Sequence, residues 1–192
     1  MALRDEEGEI LERRTEQRGR HSEQLFIFIR QFMESEGMRI PNLQAVLISE
    51  GPGSYTGLRI GASAVKGLLF QTGVPLYAVN TLAGFALSAF RESTGLKKIH
   101  SVIDARRRHL YHQEFEMADG QLLNITEVEI LTIETVQSMV KSGEGLIGTG
   151  IDRLNSELLA EVRIFETRHI GAESLIHLFE SGTSRFVQER DP

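Results

Sequence analysis

The sequence predicts an α/β fold in two lobes. Strand-like and helix-like patterns alternate along most of the chain, and the alternation starts afresh after Gly95. Short continuous apolar runs such as Ala45–Ser49 suit strands buried on both faces. Helices flanking mixed sheets follow from that alternation, with an N-terminal lobe over residues 1–93 and a C-terminal lobe over 94–192.

Each element has its own signal. "ALRDEEGEILERRTEQ" reads as a strand end, a turn at Glu7-Gly8 and a second strand. Ser22 is a plausible N-cap for a helix over 23–36, and Gly37 ends it. Leu25, Phe26, Ile29, Phe32 and Met33 keep helical spacing, while Ile27 and Phe28 lie off that stripe. A helix apolar almost all round needs more than one burial partner. A glycine loop and helix reach about Thr72, followed by the strand "VPLYAV" and the helix "TLAGFALSAFRES". In the second half "IHSVID" is a strand. "RHLYHQEFEM" and "LLNITEVEIL" flank Ala118-Asp119-Gly120, a hairpin signal. A helix over 132–142, the strand "GLIG", a helix over 152–160, the strand "VRIFE" and a helix over 171–181 complete the pattern.

Composition narrows the function. The chain has 192 residues, 41% hydrophobic and 25% charged, enough for a real core. It has no cysteine, which removes disulfides, thiolate metal sites and a cysteine nucleophile, and fits a reducing cytoplasm. The net charge of −6 argues against a stand-alone nucleic-acid binder. No apolar run approaches membrane-spanning length, and the acidic N-terminus is unlike a signal peptide.

The most informative stretch is "SEGPGSYTGLRIG", residues 49–61. A strand, glycines and a helix start form a phosphate cradle in many proteins, because free N–H groups converge there. The spacing nevertheless fails the Walker, dinucleotide and nucleophile-elbow patterns. Gly57 and Gly61 lie four apart on one helix face, continued by Ala64 and by Gly67 or Leu68. Small residues at that spacing let another helix approach. An interior glycine costs roughly 0.5–1 kcal/mol relative to alanine, and close contact is the simplest compensation. Helix contact is the preferred reading, and anion contact by Gly51, Gly53, Ser54 and Thr56 stays open beside it.

No metal site or catalytic residue is expected. His21 suits a cap or a surface position. His109 and His112 sit on one strand at odd spacing, hence on opposite faces. Asp104-Ala105-Arg106-Arg107-Arg108 reads first as a solvated loop, with contact to an acidic partner or an RNA backbone as the sharper alternative. Gly148-Thr149-Gly150 is a further turn with anion capacity.

The run "SEGPGSYTGLRIGASAVKGL" resembles the signature of the TsaB (YeaZ) family, and "RHSEQL", "VPLYAVNTLAGFA", "IDARRRHLY" and "GTGI" extend the likeness over nearly the whole chain. The resemblance implies two lobes of the actin-like ATPase, ribonuclease H-like type. Family members open with an apolar strand ahead of the first hairpin and carry a short tail after the position of "QERDP". This chain is therefore expected to lack the first strand. The implied role is that of a non-catalytic partner of a TsaD-like catalytic subunit and a TsaE-like ATPase, which together transfer a threonylcarbamoyl group to adenosine 37 of tRNA. The family pairs through its first two helices, which places the expected interface on Leu25, Phe28, Ile29, Phe32, Gly57, Leu58, Gly61, Ala64, Val65 and Leu68. A homodimer in the absence of the partner, tRNA contact through the complex, and ATP or ADP at the interface rather than a tightly held cofactor belong to the same expectation.

Rival readings are an ATP-dependent small-molecule kinase of the same superfamily, a protease and a stand-alone RNA binder. The kinase would need acidic magnesium ligands and phosphate loops in both lobes, of which the sequence offers little.

Overall fold

Hydrogen bonding sorts the strands into a hairpin and two sheets in the computed structural model. It describes residues 1–13, 21–166, 171–182 and 187–189, without the side chains of 21–23 and 187–189. β1 (Ala2–Arg4) and β2 (Ile10–Glu12) form an antiparallel hairpin. Helix α1 (His21–Ser35) follows. It begins ahead of the expected 23–36, so Ser22 lies inside its first turn instead of capping it. Arg20 lies outside the described residues.

β3 (Val46–Gly51), α2 (Tyr55–Leu69) and β4 (Leu76–Asn80) make a βαβ unit whose strands are parallel. β11 (Val187–Glu189) adds to the other side of β4, antiparallel, and closes a three-stranded sheet in the order β11-β4-β3. The last helix, α6 (Glu173–Ser181), packs on β3 and β4. The end of the chain therefore returns to the sheet of its first half.

The larger sheet is built from β5 (Lys98–Asp104), β6 (His109–Ala118), β7 (Gln121–Asn124), β8 (Glu129–Thr132), β9 (Gly145–Ile147) and β10 (Arg163–Phe165). Its order is β10-β9-β5-β6-β7, with β8 also on β6. β5 runs antiparallel to β6 and parallel to β9, so the sheet is mixed. The expected single strand over 122–131 is thus two strands. Glu114 intervenes: its carbonyl takes the Ile125 N–H, and its own N–H goes to the Thr126 hydroxyl at 3.0 Å. The expected helix over 152–160 also divides, into a 3-10 turn at Ile151–Arg153 and α5 (Ser156–Glu161). Asn155 causes the break, because its side chain caps Leu158 N at 2.9 Å.

Helix α3 (Thr81–Glu92) holds the two sheets together. Asn80, at the end of β4, caps it by accepting from Leu82 N and Ala83 N, and donates to Gln113 of β6 at 2.8 Å. Val79, Leu82, Phe85, Ala86, Ile99, Phe115, Ile147 and Leu178 share the main core around α3. A second core on the opposite face of the large sheet contains Val102, Leu110, Leu146 and Val136, the last from α4 (Ile133–Met139).

The first hairpin is fastened to α6 at both ends. Glu12 accepts from the N–H groups of Ala172 and Glu173 at the start of α6, and Arg4 pairs with Glu180 near its end at 2.6 Å.

Candidate partner interface

The turn from the end of β3 into α2 folds inward on Leu58. A Cβ at Gly51 would stand 3.1 Å from Leu58 Cδ1, and one at Gly53 3.9 Å away. Ser54 has extended backbone angles, and its hydroxyl accepts from Gly57 N at 3.3 Å. The serine is the N-cap of α2. Thr56 is exposed on the first turn, beside Tyr55, whose hydroxyl accepts from Arg59 at 2.9 Å.

Within the small-residue face of α2, Gly61 lies against the protein's own strand. A Cβ at Gly61 would meet Ile48 Cδ1 of β3 at 3.6 Å, and Ala64 is buried. Gly57 is exposed, with only Ser54 near its missing Cβ. Leu58, Val65 and Leu68 are half-buried. On α1, Leu25, Phe28 and Ile29 are half-buried, but Phe32 is 2% exposed and lies under the Arg13 guanidinium. Phe32 is thus enclosed by its own chain, a correction to its expected place on the interface, whereas Ala64, though buried, borders the hollow between α1 and α2.

Part of what remains on the outside is apolar, beside the exposed Arg30–Glu34 pair. Phe26 and Ile27 are half-exposed, which sequence spacing had not placed at the interface. They border a hollow between α1 and the 38–41 segment, which Met33, Ile40 and Leu68 also line. A second hollow, between α1 and α2, is lined by Leu25, Phe26, Arg59, Ile60, Ser63 and Ala64. Two shallow apolar hollows on either side of one phenylalanine suit protein contact better than a small ligand.

The remaining polar features lie on the other sheet. His100 and His112, both fully buried, meet across β5 and β6 with Nδ1 and Nε2 2.9 Å apart. His100 Nε2 lies 3.0 Å from Glu144, which also accepts from Lys141 N. With neutral rings and an ionised Glu144, His112 Nε2–H donates to His100, and His100 Nε2–H donates to Glu144. Among the described residues, His112 Nδ1 is left without a partner. Burial pushes the His112 pKa down to about 4, and the nearby His100 adds to that effect. Burial also opposes charge on Glu144, but the Lys141 amide, His100 and Lys98 outweigh it and hold its carboxyl below the usual range. Sequence reasoning missed this chain. The signal was the hairpin register, which sets Val102 opposite His112 and His100 opposite Glu114. As expected, His109 faces the other way and is exposed. Asp104 accepts from Arg153 and from Arg106 N, both at 2.8 Å.

At the Gly148-Thr149-Gly150 turn, both glycines are required by packing. A Cβ at Gly148, with φ at 128°, would fall 1.9 Å from the Val102 carbonyl oxygen, and Gly150 lies against Leu110. No group of three or more histidine or carboxylate side chains among the described residues is placed to hold a metal.

The family model described as TsaD, tRNA N6-adenosine threonylcarbamoyltransferase, matches residues 10–164. The chain belongs to this family. Its relatives include the tRNA threonylcarbamoyladenosine biosynthesis protein TsaB of Escherichia coli, 29% identical over 134 residues. That match takes in 68% of this chain and 58% of the relative. TsaB of Bacillus subtilis is 26% identical over 164 residues, 84% of this chain and 70% of the relative. Among solved structures, YeaZ from Pseudomonas aeruginosa superposes with a TM-score of 0.77 at 26% identity, over 92% of this chain and 82% of its own. The resemblance to TsaB (YeaZ) is borne out, and with it the actin-like α/β class of mixed sheets flanked by helices. The chain spans 58% of the length of the E. coli relative.

Proposed function

We propose that this chain is a non-catalytic partner subunit in the synthesis of threonylcarbamoyladenosine on tRNA. It pairs with a TsaD-like catalytic subunit and helps recruit a TsaE-like ATPase. The observation that carries the reading is the apolar outer face of α1 beside α2, centred on Phe26 and Ile27, in a chain similar to proteins named for this modification. Apolar surface of this kind is covered in a working protein by association. In the absence of the catalytic subunit a second copy covers it, giving a symmetric dimer. The complex works in the cytoplasm, with ATP or ADP held between the subunits rather than by this chain alone.

The kinase alternative has weaker support, because the Ser54 hydroxyl is engaged in capping α2 and Asp104 in holding Arg153. Titration of ATP with magnesium into the isolated chain separates the two readings.

The direct test is reconstitution. The chain is combined with TsaD-like and TsaE-like subunits, a threonylcarbamoyl donor and an unmodified tRNA, and nucleoside analysis measures the product. Product formation should require the chain. An equal rate without it would overturn the proposal.

A further inference from the structure

The two hairpin tips of the large sheet solve the same backbone problem with different residues. The β6–β7 tip is Asp119-Gly120, with φ of 52° and 75°. Aspartate and glycine are the types that tolerate left-handed backbone, and this pair is a common choice for a two-residue tip. The β5–β6 tip places Arg106 and Arg107 at φ of 73° and 54°. Arginine gains nothing from that conformation, since its long side chain offers no local compensation for the crowded Cβ. Such an outlier persists only where the surroundings enforce it.

The surroundings do so here. Asp104 Oδ1 accepts from Arg106 N and from Arg153 Nη1, both at 2.8 Å. The other end of the Arg153 guanidinium donates to the Arg107 carbonyl. Arg153 thus spans the tip and spends its own charge on Asp104. Arg108 spends its charge on Glu134. Arg106 and Arg107 are both exposed, and among the described residues neither side chain has an ion-pair partner. In a chain of net charge −6 they form a pre-set, doubly positive point on a fixed turn.

We propose that Arg106 and Arg107 grip phosphates of the tRNA backbone. This rests on the function proposed above. A guanidinium binds a phosphate with paired hydrogen bonds, and a turn fixed beforehand loses little freedom on binding. Backbone contact needs no base reading, which matches a tip with charge but no aromatic side chain to stack on a base.

The test uses the assembled complex and a fluorescein-labelled tRNA that reads a codon starting with A, with polarisation measured between 50 and 200 mM salt. One variant combines Arg106→Asn with Arg107→Gly, which suits the turn and removes both charges. A second combines Arg106→Lys with Arg107→Lys, which keeps the charge. The neutral variant should bind tRNA about tenfold or more weakly at low salt. Its logarithmic salt slope should shrink by about 0.7–0.9 for each lost phosphate contact. Its melting temperature should stay level or rise, because asparagine and glycine relieve the backbone. The lysine variant should keep the salt slope, because the charge stays, while losing part of the affinity, because an ammonium cannot make the paired hydrogen bonds.

Wild-type affinity and slope in the neutral variant would overturn the proposal. So would an unchanged affinity for tRNA combined with weaker binding of a partner subunit, which would make the tip a contact for an acidic protein surface. If the wild-type complex fails to modify tRNA, the proposed function falls and this inference with it. If it modifies tRNA while the neutral variant binds normally, only the inference falls.

Discussion

Helices α1 and α3 look alike as sequences and meet opposite fates. Both are apolar on more than one side. In α3, eight of twelve residues are buried: Leu82, Ala83, Gly84, Phe85, Ala86, Ser88, Ala89 and Phe90. Strands of both sheets and α6 surround it, and Gly84 and Ser88 let α6 come close, with the Ser88 and Ser174 hydroxyls 2.6 Å apart. In α1, Phe32 is the buried hydrophobe, while Phe26 and Ile27 stay half-exposed. An apolar surround therefore states a need for neighbours without saying which molecule provides them. For α3 the same chain does. For α1 the chain leaves the surface open, and under the proposed function a partner covers it.

The largest expected effect separates the two helices directly. Leu82→Ala, inside α3, should cost about 2–5 kcal/mol in denaturant unfolding, the usual range for a buried leucine. Ile27→Asp, on α1, should change stability by no more than about 0.5 kcal/mol. Binding to the TsaD-like subunit should respond in the opposite order. There Ile27→Asp should lose tenfold or more in affinity, about 1.4 kcal/mol. Similar stability losses for both variants would break the comparison.

The second expectation concerns pH and lies wholly on the buried side. The folded protein holds the His112 pKa at about 4, against an ordinary value of 6.5. Between those values the unfolded chain binds a proton that the folded chain does not. Stability should therefore be full above pH 6.5, fall as the pH drops, and have lost about 3 kcal/mol by pH 4. Glu144, whose folded carboxyl is held below the usual range, adds loss in the same direction at lower pH. Unfolding free energies measured across this window should give a flatter curve for His112→Gln than for the wild type. Parallel curves would remove His112 from the account.

The smallest effect sharpens the reading of α2. Gly61→Ala should stabilise the fold by about 0.4–1 kcal/mol, because the helix gains propensity and the new methyl makes ordinary contact with Ile48 at 3.6 Å. A lower thermal midpoint would show that α2 needs the space for a closer approach to β3.

Local signals made much of this legible. The helix after Ser54, the strands at Val46–Gly51 and Lys98–Asp104, and the Asp119-Gly120 tip all follow from residue type and spacing. Only the second of those strands is buried as a continuous apolar run suggests, since the first lies at a sheet edge. The candidate site was legible only in part. Spacing marked the small-residue stripe on α2 but not that its Gly61 lies against Ile48. It marked the apolar α1 but placed Phe32 outward and passed over Ile27. The glycines at 148 and 150 advertised a special backbone without showing that Val102 and Leu110 were the reason.

By itself, the sequence determined the order of helices and strands, the turns that join them and the family to which they belong. These depend on neighbours within a few residues, where hydrogen bonds, caps and allowed backbone angles act. Only the tertiary structure decided which apolar helix is enclosed, that His100, His112 and Glu144 form one buried chain, and that Arg153 braces the Arg106–Arg107 tip. Burial and charge pairing depend on residues that meet from distant parts of the chain, and no local pattern specifies them.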